Sequence, residues 1–110
     1  MASITVKGEE LELDENGFLK DWQKWNKDVA KAIAKEDSIE LSSEHWEIIN
    51  FLRNYYTKYQ IAPMIRILVK ETQKTLGSDK DLKYIYKLFP TGPAKQACKI
   101  AGLPKPTGCV

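Results

Sequence analysis

Histidine, cysteine and long apolar runs are all scarce in this chain. His45 is the only histidine of 110 residues, and Cys98 and Cys109 are the only cysteines. A closed four-ligand zinc site would need carboxylates as well, so no metal is expected. Both thiols fall within the last thirteen residues. A disulfide there would staple almost none of the fold, which argues against a structural bridge. Paired thiols in a cytosolic protein are more often redox or catalytic groups. The longest apolar stretch, residues 61–69, is interrupted by Pro63 and Arg66, far short of the ~20 residues of a membrane span. Residues 1–17 alternate charged and apolar side chains and lack the apolar core of a signal peptide. These absences predict a soluble, cytoplasmic protein. A dominant charge is missing too. Seventeen Lys and Arg against fifteen Asp and Glu leave +2, too weak to imply nucleic acid or an anionic membrane, although a local basic face stays open.

What is present suffices for one domain. The 43% hydrophobic content supports a globular fold, with a modest stability margin at this length. Residues 4–7 and 10–13 alternate as two short strands, with Gly8-Glu9 as a two-residue hairpin turn. Asp14-Glu15-Asn16-Gly17 is a second turn signal, and everything after it reads as helical. A helix is predicted over 26–37 with Val29, Ile33 and Ala30 inward. Ser42 caps the next helix, which runs to Tyr59 and carries Trp46, Ile49, Leu52 or Arg53, and Tyr56 at helical spacing. Pro63 reads as the first residue of a helix ending near Leu76, with Gly77 as its C-cap. Ser78 caps a helix with Leu82, Ile85, Leu88 and Phe89 that Pro90 ends. Gly92-Pro93 opens a short last helix through Cys98, and Gly102 stops it. The fold class expected is mainly α: a small orthogonal helical bundle with a helix-turn-helix-like part and an N-terminal β-hairpin.

The tail holds the chemistry. Cys98 and Cys109 are spaced C-x10-C, and Pro104 and Pro106 favour an extended path between them. Residues 103–109 reach about 23 Å fully extended, while closing so short a loop costs little entropy. The tail is therefore expected to be a mobile arm, residues 103–110, on a helical domain of residues 1–102. Such an arm delivers a thiol into a partner or returns it to Cys98. Gly108 removes bulk beside the sulfur and frees the backbone, and the prolines limit the entropy lost on entering a channel. Lys95, Lys99 and Lys105 favour the thiolate if they lie near it in space. A thiol exposed at a terminus is a chemical liability, so Cys109 reads as functional. Cys98 alone reads equally well as a small buried residue.

Other features have plainer readings. Arg66, Lys70 and Lys74 share one side of the third helix. They suit a recognition helix on DNA, a docking face for an acidic partner, or a solvated basic face, which is preferred. Trp22, Trp25, Trp46 and the tyrosines read as core rather than base-stacking groups. His45, in the first turn of its helix, reads as structural.

The run from Phe89-Pro90-Thr91-Gly92-Pro93 through Cys98 to Lys105-Pro106-Thr107-Gly108-Cys109-Val110 resembles the C-terminus of the DsrC family of small sulfur carriers. Glu44-His45-Trp46, with Ile49, Leu52-Arg53 and Tyr55-Tyr56, is similar too, as is Ile61-Ala62-Pro63 with Arg66. The resemblance implies that Cys109 bears persulfide sulfur and that Cys98 resolves it, as an internal disulfide or a bridging trisulfide. It implies a carrier or co-substrate rather than a stand-alone catalyst, with no cofactor of its own. The implied partners are the alpha and beta subunits of dissimilatory sulfite reductase, upstream sulfurtransferases of the Tus or DsrEFH type, and a membrane thiol–disulfide reductase complex of the DsrMKJOP type. Lys95, Lys99, Lys105 and Arg66 are weaker candidates for steering anionic sulfur or the partner. The related TusE branch, which relays sulfur toward tRNA thiolation, normally lacks the helix cysteine. This sequence has both cysteines, which favours a DsrC-type sulfur carrier of dissimilatory sulfur metabolism; the alternatives are a TusE-like relay or, from the helix pair and its basic face, a helix-turn-helix DNA-binding regulator.

Overall fold

The computed structural model describes residues 2–105; residues 1 and 106–110 lie outside it. Strands β1 (Ala2–Val6) and β2 (Glu9–Leu13) form an antiparallel hairpin with Ile4 opposite Leu11 and Val6 opposite Glu9. The turn is Lys7-Gly8, one residue earlier than the sequence suggests, with φ of 49° and 85°. Both registers keep Ile4, Val6, Leu11 and Leu13 on one face, so alternation does not choose between them. Turn geometry chooses, because two positive φ values match the twist of the flanking strands.

The stretch after Gly17 is not helical at first. The Asp14 carboxylate accepts from the Asn16 and Phe18 amides at 2.8 and 2.9 Å, and Leu19 forms a β-bridge with Leu13. Phe18 and Leu19 are thereby buried. A single 3-10 turn, Trp22–Lys24, follows. Local hydrogen bonding by Asp14 competes here with helix formation.

Five α-helices complete the described residues. Helix α1 (Lys27–Glu36) is capped by Asn26 and buries Val29, Ala30, Ile33 and Ala34. Helix α2 (Ser43–Tyr59) is capped by Ser42, as expected, through a reciprocal box with His45. The Ser42 amide donates to His45 Nδ1 at 3.0 Å, and His45 Nε2 lies 2.9 Å from the Leu88 carbonyl. Nε2 therefore carries the proton and Nδ1 accepts. His45 stitches the start of α2 to the next-to-last helix, a structural role.

Helix α3 (Ile65–Leu76) starts two residues after Pro63, because Met64 is still extended at ψ 153°. Pro63 is buried and leads the chain inward instead. Helix α4 (Leu82–Leu88) is capped by Asp81, whose carboxylate takes the Tyr84 amide. Ser78, the cap expected from the sequence, lies three residues before the actual cap position and so cannot fill it; its carbonyl accepts from the Gln73 side chain. Helix α5 (Lys95–Ile100) packs on α1 and α2. The core centres on Ile49, Leu52, Leu68, Ile85, Phe89 and Ile100, all 0% exposed. The expected fold class is the one observed. Among the described residues, no helix is long and apolar enough to cross a membrane.

Candidate functional site

Helix α5 places Cys98 and launches the tail. Ala97 and Cys98 within it, and the buried caps Ala94 and Ala101, are small and let the backbone approach α1 and α2 closely, while Ile100 and Gln96 fill the space beside them. Cys98 is 0% exposed. The helix ends in a Schellman turn. The Leu103 amide donates to the Cys98 carbonyl at 3.0 Å and the Gly102 amide to the Lys99 carbonyl at 3.2 Å. Gly102 has φ 71°, and a Cβ there would collide with the Trp25 side chain. Only glycine meets both conditions. Leu103 then enters the core at 0% exposed, while Pro104 and Lys105 emerge into solvent. Leu103, the first residue assigned to the arm from the sequence, is thus packed with the helical core. Pro106, Gly108 and Cys109 lie outside the described residues.

Two polar clusters hold this turn. On one side, Arg53 Nη1 donates to the Ala101 carbonyl at 3.1 Å and to the Trp22 carbonyl at 2.9 Å. The guanidinium lies over the Trp25 ring at 4.4 Å and the Trp22 ring at 5.3 Å. Trp25 Nε1 donates to the Ile100 carbonyl at 2.9 Å. Burial pushes the Arg53 pKa down, but arginine keeps its proton in proteins. The result is a fixed cation at the carbonyl end of α5, where it satisfies groups the helix leaves open. On the other side, the Asp37 carboxylate takes Lys99 Nζ at 2.9 Å and Gln96 Nε2 at 3.1 Å. Gln96 Oε1 in turn accepts the Thr91 amide.

The cations singled out from sequence fare differently. Lys99 neighbours Cys98 in the chain, but its ammonium is committed to Asp37. Lys95 and Lys105 are exposed. Arg66 lies on α3, in a shallow groove with Val69, Lys70 and Leu82, none of them on α5. The clamp residues Arg53, Trp22, Trp25 and Asp37 were not singled out as site residues. One signal was visible: Arg53 is a charged residue at a core spacing of α2, where an unpartnered charge would be costly.

Known proteins match over nearly the whole chain. The family model described as DsrC like protein matches residues 5–110. The sulfurtransferase TusE homolog of Haemophilus influenzae is 50% identical over 108 residues, 97% of this chain and 99% of that protein. The oxidised gamma-subunit of the dissimilatory sulfite reductase (DsrC) from Archaeoglobus fulgidus superposes with a TM-score of 0.93 at 56% identity, covering 99% and 100% of the two chains. Allochromatium vinosum DsrC gives 0.88 at 56% identity, covering 98% and 97%.

Proposed function

The chain belongs to the DsrC-like protein family, and from that premise we propose that it is a sulfur-relay protein in which Cys109 carries the sulfur and Cys98 resolves it. The observation that supports the reading is the tail itself, with both thiols spaced C-x10-C inside a family match that runs to residue 110. Loading is a transfer without net electron change. The Cys109 thiolate attacks the outer sulfur of a donor persulfide, a new S–S bond forms on Cys109, and the donor leaves as its thiolate. In the second step the Cys98 thiolate attacks Cys109 Sγ. A Cys98–Cys109 disulfide forms and hydrosulfide departs with the bonding pair. A dithiol reductant then restores both thiols. A bridging trisulfide is two electrons more oxidised than a persulfide plus a thiol, so it requires an oxidised sulfur species from the partner.

Resolution is gated by packing. Cys98 is sealed within α5, so it reacts only when the end of that helix opens. The Arg53 and Asp37 clusters set the cost of that opening. The arm from Pro104 onward carries the sulfur outward, and exposed Lys95 and Lys105 supply positive charge for anionic sulfur species.

The helix cysteine favours dissimilatory sulfur metabolism, with dissimilatory sulfite reductase, upstream sulfurtransferases and a membrane thiol–disulfide reductase complex as partners. A second reading, relay toward tRNA thiolation, is supported by the 50% identity to a protein named sulfurtransferase TusE homolog. Intact-mass measurement of wild type, Cys109→Ser and Cys98→Ser after exposure to a persulfide donor tests the common core. One added sulfur is expected on wild type and Cys98→Ser and none on Cys109→Ser. Loading of Cys109→Ser at the wild-type rate would overturn the assignment. Transfer of labelled sulfur from the loaded protein to sulfite reductase, or through partner proteins to tRNA, separates the two readings.

A further inference from the structure

The α2–α3 corner exposes apolar surface that no other described residue covers. Ile61 is 62% exposed, Met64 57%, Tyr59 52% and Ile67 36%. Soluble proteins seldom leave large side chains contiguous in solvent without a use for them. Ile61 and Met64 lie in the connection that joins α2 and α3, while Tyr59 and Ile67 line a groove of about 680 Å³ between the two helices. Its floor is Phe51, Tyr55, Tyr59 and Ile67, and the three aromatic rings run along one face of α2 with centroids 5.8 and 4.6 Å apart. Its rim carries Lys58, Lys70 and Lys74 against one carboxylate, Glu71. Among the described residues, none of those lysines is in an ion pair.

We propose that this groove docks an acidic amphipathic helix of a partner protein, whose apolar side chains enter the aromatic floor and whose carboxylates meet the three lysines. The charge at the rim selects the sign of the partner, and the apolar floor selects its class. A helix laid in a groove presents anchors at i, i+3, i+4 and i+7, which suits a slot between two helices. Duplex DNA would meet the lysines with its phosphates and leave the apolar floor unfilled. No residue of α5, Cys98 included, lines the groove, so the proposal stands or falls independently of the sulfur-relay reading.

The test is a display selection of random 16-residue peptides on the full-length protein, with counter-selection on the variant Lys58→Glu/Lys70→Glu/Lys74→Glu. All three positions are exposed, and an unchanged circular dichroism melt establishes that the variant is folded. Recovered peptides are expected to be net acidic with apolar residues at helical spacing. Their affinity should fall about tenfold or more in the charge-reversed protein, and also in Ile67→Ser, which keeps the rim. Recovery of basic or neutral peptides, or equal binding to wild type and both variants, would overturn the proposal. So would a salt-sensitive duplex-DNA complex, lost in the triple variant, that excludes the peptides. Repeating the titration with Cys109→Ser keeps this result distinct from the relay reading, since that change should leave peptide affinity unaltered.

Discussion

Helices α2 and α5 both end in a left-handed residue, and the two ends have been put to opposite uses. After α5, Gly102 turns at φ 71° against the wall of Trp25, and Leu103 behind it is 0% exposed. After α2, Gln60 turns at φ 59° in open solvent, and Ile61 behind it is 62% exposed. The backbone problem is the same: the chain must leave a helix and satisfy its last carbonyls. Gln60 does so with its own side chain, Nε2 donating to the Tyr56 carbonyl at 3.1 Å. The α5 end recruits Arg53, Trp22 and Trp25 from elsewhere in the fold. A clamped end fixes the turn and holds Leu103 in the core. An open end leaves apolar surface for something else to cover.

The largest break in that comparison is expected at Gly102. Gly102→Val adds left-handed strain and a collision with the Trp25 ring, and should cost about 3 kcal/mol or more in urea unfolding. Two truncations come next, because they locate where the body ends. Removing residues 104–110 should leave the unfolding midpoint nearly unchanged. Removing Leu103 as well should cost about 2–5 kcal/mol, as for a buried leucine truncated; equal stability of the two would place Leu103 in the arm after all. Arg53→Met keeps much of the bulk but strips the donors from the Ala101 and Trp22 carbonyls. A loss of about 1–3 kcal/mol is expected, with faster hydrogen exchange at the amides of Gly102 and Leu103 and faster alkylation of Cys98. Faster exchange spread evenly over the whole protein would instead mark Arg53 as a general stabiliser. The smallest effect has the opposite sign: Gln60→Gly should stabilise by a few tenths to about 1 kcal/mol, because only glycine takes that φ without penalty.

Much of this was legible in one dimension. The α1 and α2 cores followed from helical spacing, and Asn26 and Ser42 lie where the chain must start a helix. The misplacements share a cause. Lys7-Gly8, Met64 and Asp81 sit at junctions where neighbouring residues offer competing turn or cap chemistry; backbone geometry decides the first, and the path of the adjoining chain decides the other two. Pro63 has the chemistry of a first helical residue, yet it is buried and the helix waits until Ile65. His45 in the capping box was hidden because that motif ordinarily uses Glu or Gln at its third position.

The sequence by itself determined the helical class, the hairpin face, the two thiols and their ten-residue spacing, since each depends on local periodicity or on residue identity alone. Tertiary structure decided the rest. It buried Cys98, spent the charge of Lys99 on Asp37, and brought Arg53 from α2 and Trp25 from the connector to the end of α5. Those partners lie 48 to 75 positions apart along the chain. No local pattern carries such pairings, because they exist only once the apolar faces have chosen how to pack.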